Sequence, residues 1–363
     1  MSVIIFLIII AVLILVHEFG HFIVAKRAGI RVDEFGLGFP PRLWGIKGGE
    51  TLYSINLIPF GGFVKIFGED PDEESIKGPD AKRSFVNKPK LTQAIVIAAG
   101  IAFNVFFGWA LFSASFMIGV PASAETAFGR PLIDPHVTIT TLLKDAPAQK
   151  AGLREGDIMK GMSAPGISLE TVSVPGIQAF IAAHPKEELT LSFERGGKPM
   201  SAKVVPSEGI VAGKPAIGIG MDEIGLLRLP FFTAIFEGGK FTFTAIGAIA
   251  LGFGTLVYDA VRGAGDFGGV SGPVGIVGFV GAAAAIGFSN LLSFTGLISI
   301  NLAVINLIPF PALDGGRLFV ILIESIKRSP LNPKFVNRVN TIGFALLILL
   351  MVAVTYSDVM KLL

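Results

Sequence analysis

Cysteine is absent from this sequence, and charged residues are scarce. Without cysteine there is no disulfide framework and no thiolate zinc site. Lys, Arg, Asp and Glu make up 16% of the 363 residues and hydrophobic residues 52%, with a mean hydropathy of +0.69. Soluble proteins of this size rarely have that composition, so we predict a polytopic membrane protein with a smaller soluble part. The formal net charge is only +2, and no basic tract indicates a nucleic-acid partner.

The N-terminus also lacks two features of a cleaved signal peptide. No Lys or Arg precedes the apolar stretch 2–16, and no clear cleavage site follows it. Cleavage would also remove the motif at residues 17–21. We therefore interpret this stretch as an uncleaved membrane span.

That motif, HEFGH, stands at the end of the apolar stretch. On a helix His17 and His21 are four residues apart and share one face. This spacing allows two imidazoles to bind one zinc ion while Glu18 acts as general base. Ionisable residues inside a span are expensive and usually functional, so the location strengthens the prediction of a zinc site.

Four segments are long enough, or nearly so, to cross a hydrocarbon core of about 30 Å. They are 2–25, 91–119, 291–312 and 340–356. Lys and Arg are concentrated in 26–90 and after the third span, which predicts that both regions are cytoplasmic. The two termini and the region 120–230 are then expected on the opposite, extracytoplasmic side of the membrane.

Residues 231–290 contain two further uncharged stretches, 241–258 and 267–289. If only one of these stretches crossed the membrane, the end of the third span would lie outside, away from HEFGH and against the distribution of Lys and Arg. Either both stretches therefore cross or neither does. The many glycines and the pair Glu237 and Lys240 favour an interfacial helix followed by a Gly-rich loop. The predicted organisation is a membrane core in two parts, 1–119 and 291–363, around the regions 120–230 and 231–290.

Residues 137–222 are predicted to form a separate soluble α/β domain within 120–230. Alternating stretches at 137–143 and 189–195 predict strands, and 179–184 predicts a short helix. The stretch 146–157 resembles the AxxAGLxxGD signature of bacterial PDZ domains. Such domains bind peptides by strand addition beside a helix; the alternative is a spacer or filter without a defined peptide ligand.

A catalytic zinc site usually has three protein ligands, and Asp314 is the best candidate for the third. It lies in NLIPFPALDGG at the inner end of the third span, where prolines break the helix and glycines permit a sharp turn. Irregular backbone at membrane depth occurs where it lines a cavity. Asp314 is also suited to be the N-cap of a helix at 315–328, and the two roles are compatible. Glu34 is a weaker candidate because its segment is charged and predicted to be cytoplasmic.

A second motif begins at Asn56, where the pentapeptide NLIPF first occurs and continues into Gly61, Gly62 and Phe63. An apolar run with a proline and paired glycines between charged stretches favours a re-entrant β-hairpin over a helix. We predict that this segment binds an unwound substrate as an edge strand, since a helical substrate shields its carbonyls. The alternative is a structural plug that covers the zinc.

HEFGH in a first span, a PDZ-like insert and NxxPxPxLDG in a later span together resemble the site-2 protease family of intramembrane zinc metalloproteases. The resemblance covers essentially the whole chain, and the bacterial regulator-of-sigma-E protease group is the most similar branch. It implies one zinc ion on His17, His21 and Asp314, Glu18 as base, and Asn306 in contact with substrate. The best-known members carry two tandem PDZ domains, whereas this chain has room for one.

We therefore expect a zinc-dependent endopeptidase that acts within or beside the membrane. The resemblance implies substrates with a single span that have already been cut outside, such as anti-sigma factors or signal-peptide remnants. It also implies a bacterial cytoplasmic membrane and a PDZ-like domain that filters substrates by size. The rival interpretation is a non-catalytic PDZ-bearing membrane adaptor. A metal transporter would place polar groups throughout its spans, whereas here they cluster at one depth.

Overall fold

The computed structural model describes residues 1–211, 214–263 and 271–362. The chain divides into two compact units. One combines Met1–Ser115 with Phe231–Leu363, and the other is Phe116–Pro230. The helices are α1 (Ser2–Arg27), α2 (Glu73–Lys77), α3 (Lys90–Ile118), α4 (Pro147–Lys150), α5 (Val174–Ala183), α6 (Phe231–Val261), α7 (Pro273–Ile286), α8 (Phe288–Leu307), α9 (Asp314–Lys327) and α10 (Pro333–Leu362). The strands are β1 (Val32–Gly48), β2 (Thr51–Ile66), β3 (Val120–Ser123), β4 (Ile133–Leu142), β5 (Ile158–Ala164), β6 (Ile167–Ser168), β7 (Leu189–Arg195), β8 (Lys198–Val204), β9 (Ser207–Val211), β10 (Lys214–Ala216) and β11 (Ile219–Leu227).

Within these described ranges, five helices are long and apolar enough to cross a membrane: α1, α3, α6, α8 and α10. Four of them coincide with the predicted spans. The third span was predicted to reach residue 312, but its helix ends at Leu307, before the prolines that cannot continue it. The additional helix, α6, occupies the first half of the stretch for which we predicted an interfacial helix.

The Gly-rich loop expected after α6 is a wrong prediction over residues 273–286, which form α7. Its small residues allow close packing instead of disrupting the helix. A Cβ on Gly281 would lie 2.6 Å from Oγ of Ser2, and Val280 is buried with Ile9 and Leu13 of α1. Fourteen residues of helix extend only about 21 Å, less than the thickness of a hydrocarbon core.

The directions of α1, α3 and α8 follow from their contacts. On α1, His21 contacts Val96 of α3 and His17 contacts Asn104. Further along α3, Gly108 and Phe112 approach Ile300 and Gly296 of α8. Both neighbours therefore run antiparallel to α3, and α1 and α8 run in the same direction. The chain that connects the end of α3 to the start of α8 consequently begins and ends on the same side of this helical core, as the parity argument from the sequence required.

Strands β1 and β2 form an irregular antiparallel pair whose register shifts repeatedly. Residues 34–37 face 52–55 of β2 on one side and 62–65 on the other, while 42–48 face 51–56. The pair lies along α1: Lys26 donates to Glu50 at 2.6 Å, and Gly61 approaches Ile14. Twelve residues of helix separate those two contacts, a distance of about 18 Å. The prediction of β-structure in the segment from Asn56 to Glu69 is confirmed, but the segment is not a hairpin by itself: its residues up to Ile66 belong to the single strand β2, which pairs with β1 and follows the HEFGH helix.

Glu50 anchors the turn between β1 and β2. Its carboxylate accepts hydrogen bonds from Lys26 and from Arg83, the latter at 2.5 Å. These two cations hold the pKa of Glu50 below its usual range. The turn is thereby tied to the end of α1 from which the chain enters the hairpin.

The unit Phe116–Pro230 contains an antiparallel sheet of seven strands, in the order β3-β11-β4-β5-β7-β8 with β6 paired to β5, and a separate pair of strands, β9 and β10. Its core contains Ile139, Leu189 and Leu191 from the sheet and Ile177 and Phe180 from α5. The predicted strands at 137–143 and 189–195 and the predicted short helix are present as β4, β7 and α5. In the stretch 146–157, α4 leads through Gly152, with φ of +84°, toward β5.

Candidate active site

The two histidines of HEFGH converge because they lie one turn apart on a regular helix. Their Nε2 atoms are 3.2 Å apart, and their residues are only 8% and 6% exposed. Glu18, the next residue after His17, lies beside the β-hairpin: a Cβ on Gly62 would be 3.9 Å from its Cγ. α1 therefore presents two buried imidazoles and one carboxylate near the same point.

Asp314 reaches that point from a turn that joins α8 to α9. Its Oδ2 lies 2.9 Å from Nε2 of His17 and 3.4 Å from Nε2 of His21. Some 300 residues separate Asp314 from the histidines in sequence, so only the packing of the helices brings them together. The alternative role of Asp314 as an N-cap is not realised, because Leu313 occupies the cap position and Asp314 is the first residue of α9.

The turn that carries Asp314 has little room for other residues. Ala312 adopts a φ of +72°, in the left-handed region that L-residues seldom occupy. A Cβ on Gly315 would overlap the carbonyl oxygens of Leu307 and Ile308, and one on Gly316 would overlap that of Phe310. The two glycines are thus required so that α9 can start directly against the end of α8.

Residues of α3 contact the Nδ1 atoms of both histidines, and these contacts were not predicted from the sequence. Nδ1 of His21 lies 2.9 Å from the carbonyl oxygen of Val96, and Nδ1 of His17 lies 3.1 Å from the side-chain amide of Asn104. Between them, a Cβ on Gly100 would overlap Nε2 of His21. The available signal was a glycine and an asparagine four residues apart within the uncharged stretch 91–119.

These residues fit a zinc ion. The three candidate ligand atoms all lie within 4.8 Å of one another. Oδ2 of Asp314 is buried and has no hydrogen-bond partner among the described residues, although the Nε2 atoms of both imidazoles are close to it. Two nitrogen donors and one carboxylate oxygen are a typical ligand set for a catalytic zinc site with a fourth position open to water.

The remaining predicted residues lie close to this cluster or outside it. Gly61 and Gly62 are buried in β2 beside α1, and Phe63 stacks on Phe39. Asn306 is half-buried in the last turn of α8, eight residues before Asp314. Glu34 accepts hydrogen bonds from Arg42 and Ser54 and is not part of the ligand cluster, which among the described residues contains only His17, His21 and Asp314.

The apolar helices and this ligand set are those expected of a membrane metalloprotease, and comparison with known proteins identifies the family. Residues 5–350 match the model of Peptidase family M50. A protein of Nostoc sp., named provisionally as a zinc metalloprotease, is 35% identical over 352 residues, which cover 96% of this chain and 93% of that protein. Zinc metalloprotease RasP is 30% identical in Geobacillus kaustophilus, covering 99% of this chain and 98% of the relative, and 28% identical in Shouchella clausii, covering 98% of each.

The chain belongs to Peptidase family M50, the site-2 protease family. It is a zinc metalloprotease of the membrane, and Zn²⁺ is its cofactor.

Proposed function

We propose that this protein hydrolyses peptide bonds of membrane-spanning proteins within or beside the bilayer, with zinc held by His17, His21 and Asp314. The observation that carries the proposal is the position of Asp314, whose carboxylate lies within 3.4 Å of both imidazoles. An adaptor without catalysis has no need for three ligand atoms and an adjacent carboxylate at one buried point.

Glu18 is the general base in this proposal. When bound, zinc supplies a Lewis acid that polarises the scissile carbonyl and makes a water molecule more acidic. Glu18 accepts the proton of the attacking water and transfers it to the leaving amine. Because the side chain belongs to the same helical turn as His17, its position relative to the two imidazoles is set by helix geometry.

The β-hairpin is the proposed substrate platform. Residues 62–65 pair with 34–37 on one side, and within the described structure no strand pairs with their other edge. A substrate that unwinds can hydrogen-bond to this edge, next to Gly62 and Glu18. Gly61, Gly62 and Phe63 would contact the extended substrate, and Asn306 would contact it from the end of α8. The alternative, a plug over the zinc, predicts that substitutions here leave the KM unchanged.

We further propose regulated intramembrane proteolysis as the setting, with single-span substrates that have already been trimmed outside a bacterial cytoplasmic membrane. Positive charge in 26–90 and after α8 supports an active site toward the cytoplasm, with both termini and the unit Phe116–Pro230 outside. That unit would act as a PDZ-like filter that excludes substrates with bulky ectodomains. Similarity to the regulator-of-sigma-E protease group supports this part of the proposal.

The test is cleavage of a tagged single-span substrate by purified protein in detergent, compared with Glu18→Gln and with Glu187→Gln as a control at an exposed carboxylate. Glu18→Gln should retain one zinc per chain and lose at least about 100-fold in kcat, the usual contribution of a general base. The control should cleave like the unmodified protein. Normal cleavage by Glu18→Gln would refute the assigned base, and zinc binding without cleavage of any of several substrates would favour the adaptor.

A further inference from the structure

The two candidate histidine ligands are oriented by different kinds of partner. Nδ1 of His21 lies 2.9 Å from the carbonyl oxygen of Val96. A carbonyl can only accept, so Nδ1 of His21 carries the proton and its Nε2 presents a lone pair. The backbone of α3 therefore fixes the tautomer of His21 that binds a metal through Nε2.

Nδ1 of His17 faces a group that can either donate or accept. It lies 3.1 Å from the terminal amide of Asn104, and the two ends of an amide have nearly the same shape. If the NH₂ end faces His17, it donates to a bare Nδ1, and the ring proton must be on Nε2. That proton would point at Asp314 and His21, where the metal has to bind.

Only the opposite arrangement suits the zinc site. When Oδ1 of Asn104 accepts from Nδ1–H of His17, the Nε2 lone pair of His17 is free for the metal. Turning the amide over loses no other hydrogen bond, because the outer end of the Asn104 amide has no partner in the described structure. We propose that Asn104 is a positioning residue that accepts a hydrogen bond from His17 through Oδ1 and so selects the metal-binding tautomer. This inference rests on the proposed role of His17 as a zinc ligand.

The surroundings of Asn104 support a fixed position for its side chain. The residue is 0% exposed, and its backbone carbonyl accepts a hydrogen bond of 2.8 Å from Oγ of Ser299 on α8. Among the described residues, the hydroxyl of Ser299 donates to the backbone carbonyl of Asn104, and the side-chain amide of Asn104 has its hydrogen bond with His17. Ser299→Ala is therefore a matched control that disturbs the same junction between α3 and α8 and leaves the proposed acceptor in place.

The experiment compares zinc affinity, measured by competition with a chromogenic chelator, in Asn104→Asp, Asn104→Leu and Ser299→Ala. Asn104→Asp keeps an acceptor in the same shape and should bind zinc at least as tightly as the unmodified protein. Asn104→Leu keeps the branching at Cγ but has no acceptor, and its zinc affinity should fall about 10- to 100-fold, as is typical when the partner of a ligating histidine is removed. The zinc affinity of Ser299→Ala should be within about threefold of that of the unmodified protein, a much smaller change than the one expected for Asn104→Leu.

A second readout separates tautomer selection from general loosening of the core. The chain has four histidines, so selective ¹⁵N labelling of histidine gives a small set of ring signals. In the zinc-loaded unmodified protein and in Asn104→Asp, Nδ1 of His17 should be protonated and shielded from exchange. In Asn104→Leu that proton should exchange faster, while the signal of His21 should be unchanged.

Two results would overturn the inference. If Asn104→Asp loses zinc affinity as Asn104→Leu does, the amide donates and does not accept. If Asn104→Leu binds zinc like the unmodified protein, no outer partner is needed. Should Asn104→Leu fail to fold, Asn104→Asp alone still distinguishes an acceptor from a donor. Failure of the unmodified protein to bind zinc would instead refute the proposed ligand set.

Discussion

The candidate zinc ligands come from two segments that hold their side chains in opposite ways. His17 and His21 lie on α1, where regular helical geometry alone places them on one face. Asp314 follows a broken segment in which α8 ends at Leu307, Ala312 has a positive φ and two glycines pack against backbone carbonyls. The spacing of the two histidines thus follows from the helix itself, whereas the position of Asp314 depends on the backbone conformation and small size of its neighbours in the turn.

This difference has a physical reason. A helix satisfies its own backbone hydrogen bonds, so its ligands need no support from the rest of the chain to keep their spacing. The turn leaves backbone groups that other elements must satisfy, such as the amide of Ala312, which donates to Oδ1 of Asn340 on α10 at 3.4 Å. Arg317 of α9 also forms an ion pair with Glu69, just after β2. The position of Asp314 is consequently a property of several elements together.

The largest expected effect is removal of one ligand from each segment. His21→Ala and Asp314→Ala should each lower zinc affinity by more than about 100-fold, since even an outer partner of a ligand is worth 10- to 100-fold. Cleavage should fall to background in both. Metal analysis after dialysis and the single-span cleavage assay measure the two outcomes.

His184→Ala is the control for these substitutions, because His184 caps α5 in the other unit. It should keep one zinc per chain. If Asp314→Ala retained its zinc in full, the turn would contribute no ligand. The zinc would then be bound by α1 without the turn, and the comparison of two ligand-bearing segments would be wrong.

An added methyl group at Gly315 should have the next largest effect. The Cβ of Gly315→Ala would overlap the carbonyl oxygens of Leu307 and Ile308, which are backbone atoms and cannot rotate away. The turn must open, and a displacement of about 1 Å at a catalytic group costs on the order of 100-fold in rate. We expect that loss in kcat/KM for the single-span substrate.

Gly252→Ala is the matched control, because a Cβ on Gly252 of α6 meets nothing within 4 Å. It should retain normal activity, and its helix should be unchanged or slightly more stable. Equal activity of the two variants would show that the tight fit of the turn does not position Asp314.

The smallest expected effect is on stability, when alanine is replaced by glycine once in α1 and once in the turn before Asp314. Ala11→Gly in α1 should destabilise the protein by about 0.5–1 kcal/mol, the usual cost of glycine inside a helix. Ala312→Gly should be neutral or stabilising by up to about 1 kcal/mol, because glycine adopts a positive φ without strain. The stabilities of the two variants are compared by measuring their thermal unfolding midpoints in the same detergent. A loss of stability at both positions would show that Ala312 is not strained.

Much of the architecture follows from the sequence because it depends on local patterns. Uncharged stretches predicted the helices α1, α3, α8 and α10, and alternation predicted β4 and β7. The prediction failed over 273–286, where the glycines were taken for loop residues. One of them, Gly281, instead allows α7 to approach Ser2 of α1, and composition alone does not distinguish those two uses of glycine.

The outer contacts of the histidines were beyond sequence reasoning for a related reason. Gly100 and Asn104 are informative only when α3 is known to lie against the HEFGH face of α1. In the sequence they are two small or polar residues within an apolar run. The partner of His21, the backbone carbonyl of Val96, has no sequence signal at all, since every residue carries a carbonyl.

The sequence by itself determined the membrane character of the protein and the spacing of His17, Glu18 and His21, because hydropathy and helical periodicity act over a few residues. It also nominated Asp314 from the breaks around it. Only the tertiary structure decided that Asp314 meets both imidazoles, that α3 orients them, and that β2 follows the same helix. Those outcomes depend on packing between elements that are far apart in the sequence, by 75 positions for Val96 and His21 and by almost 300 for Asp314 and His17, and no local pattern encodes that packing.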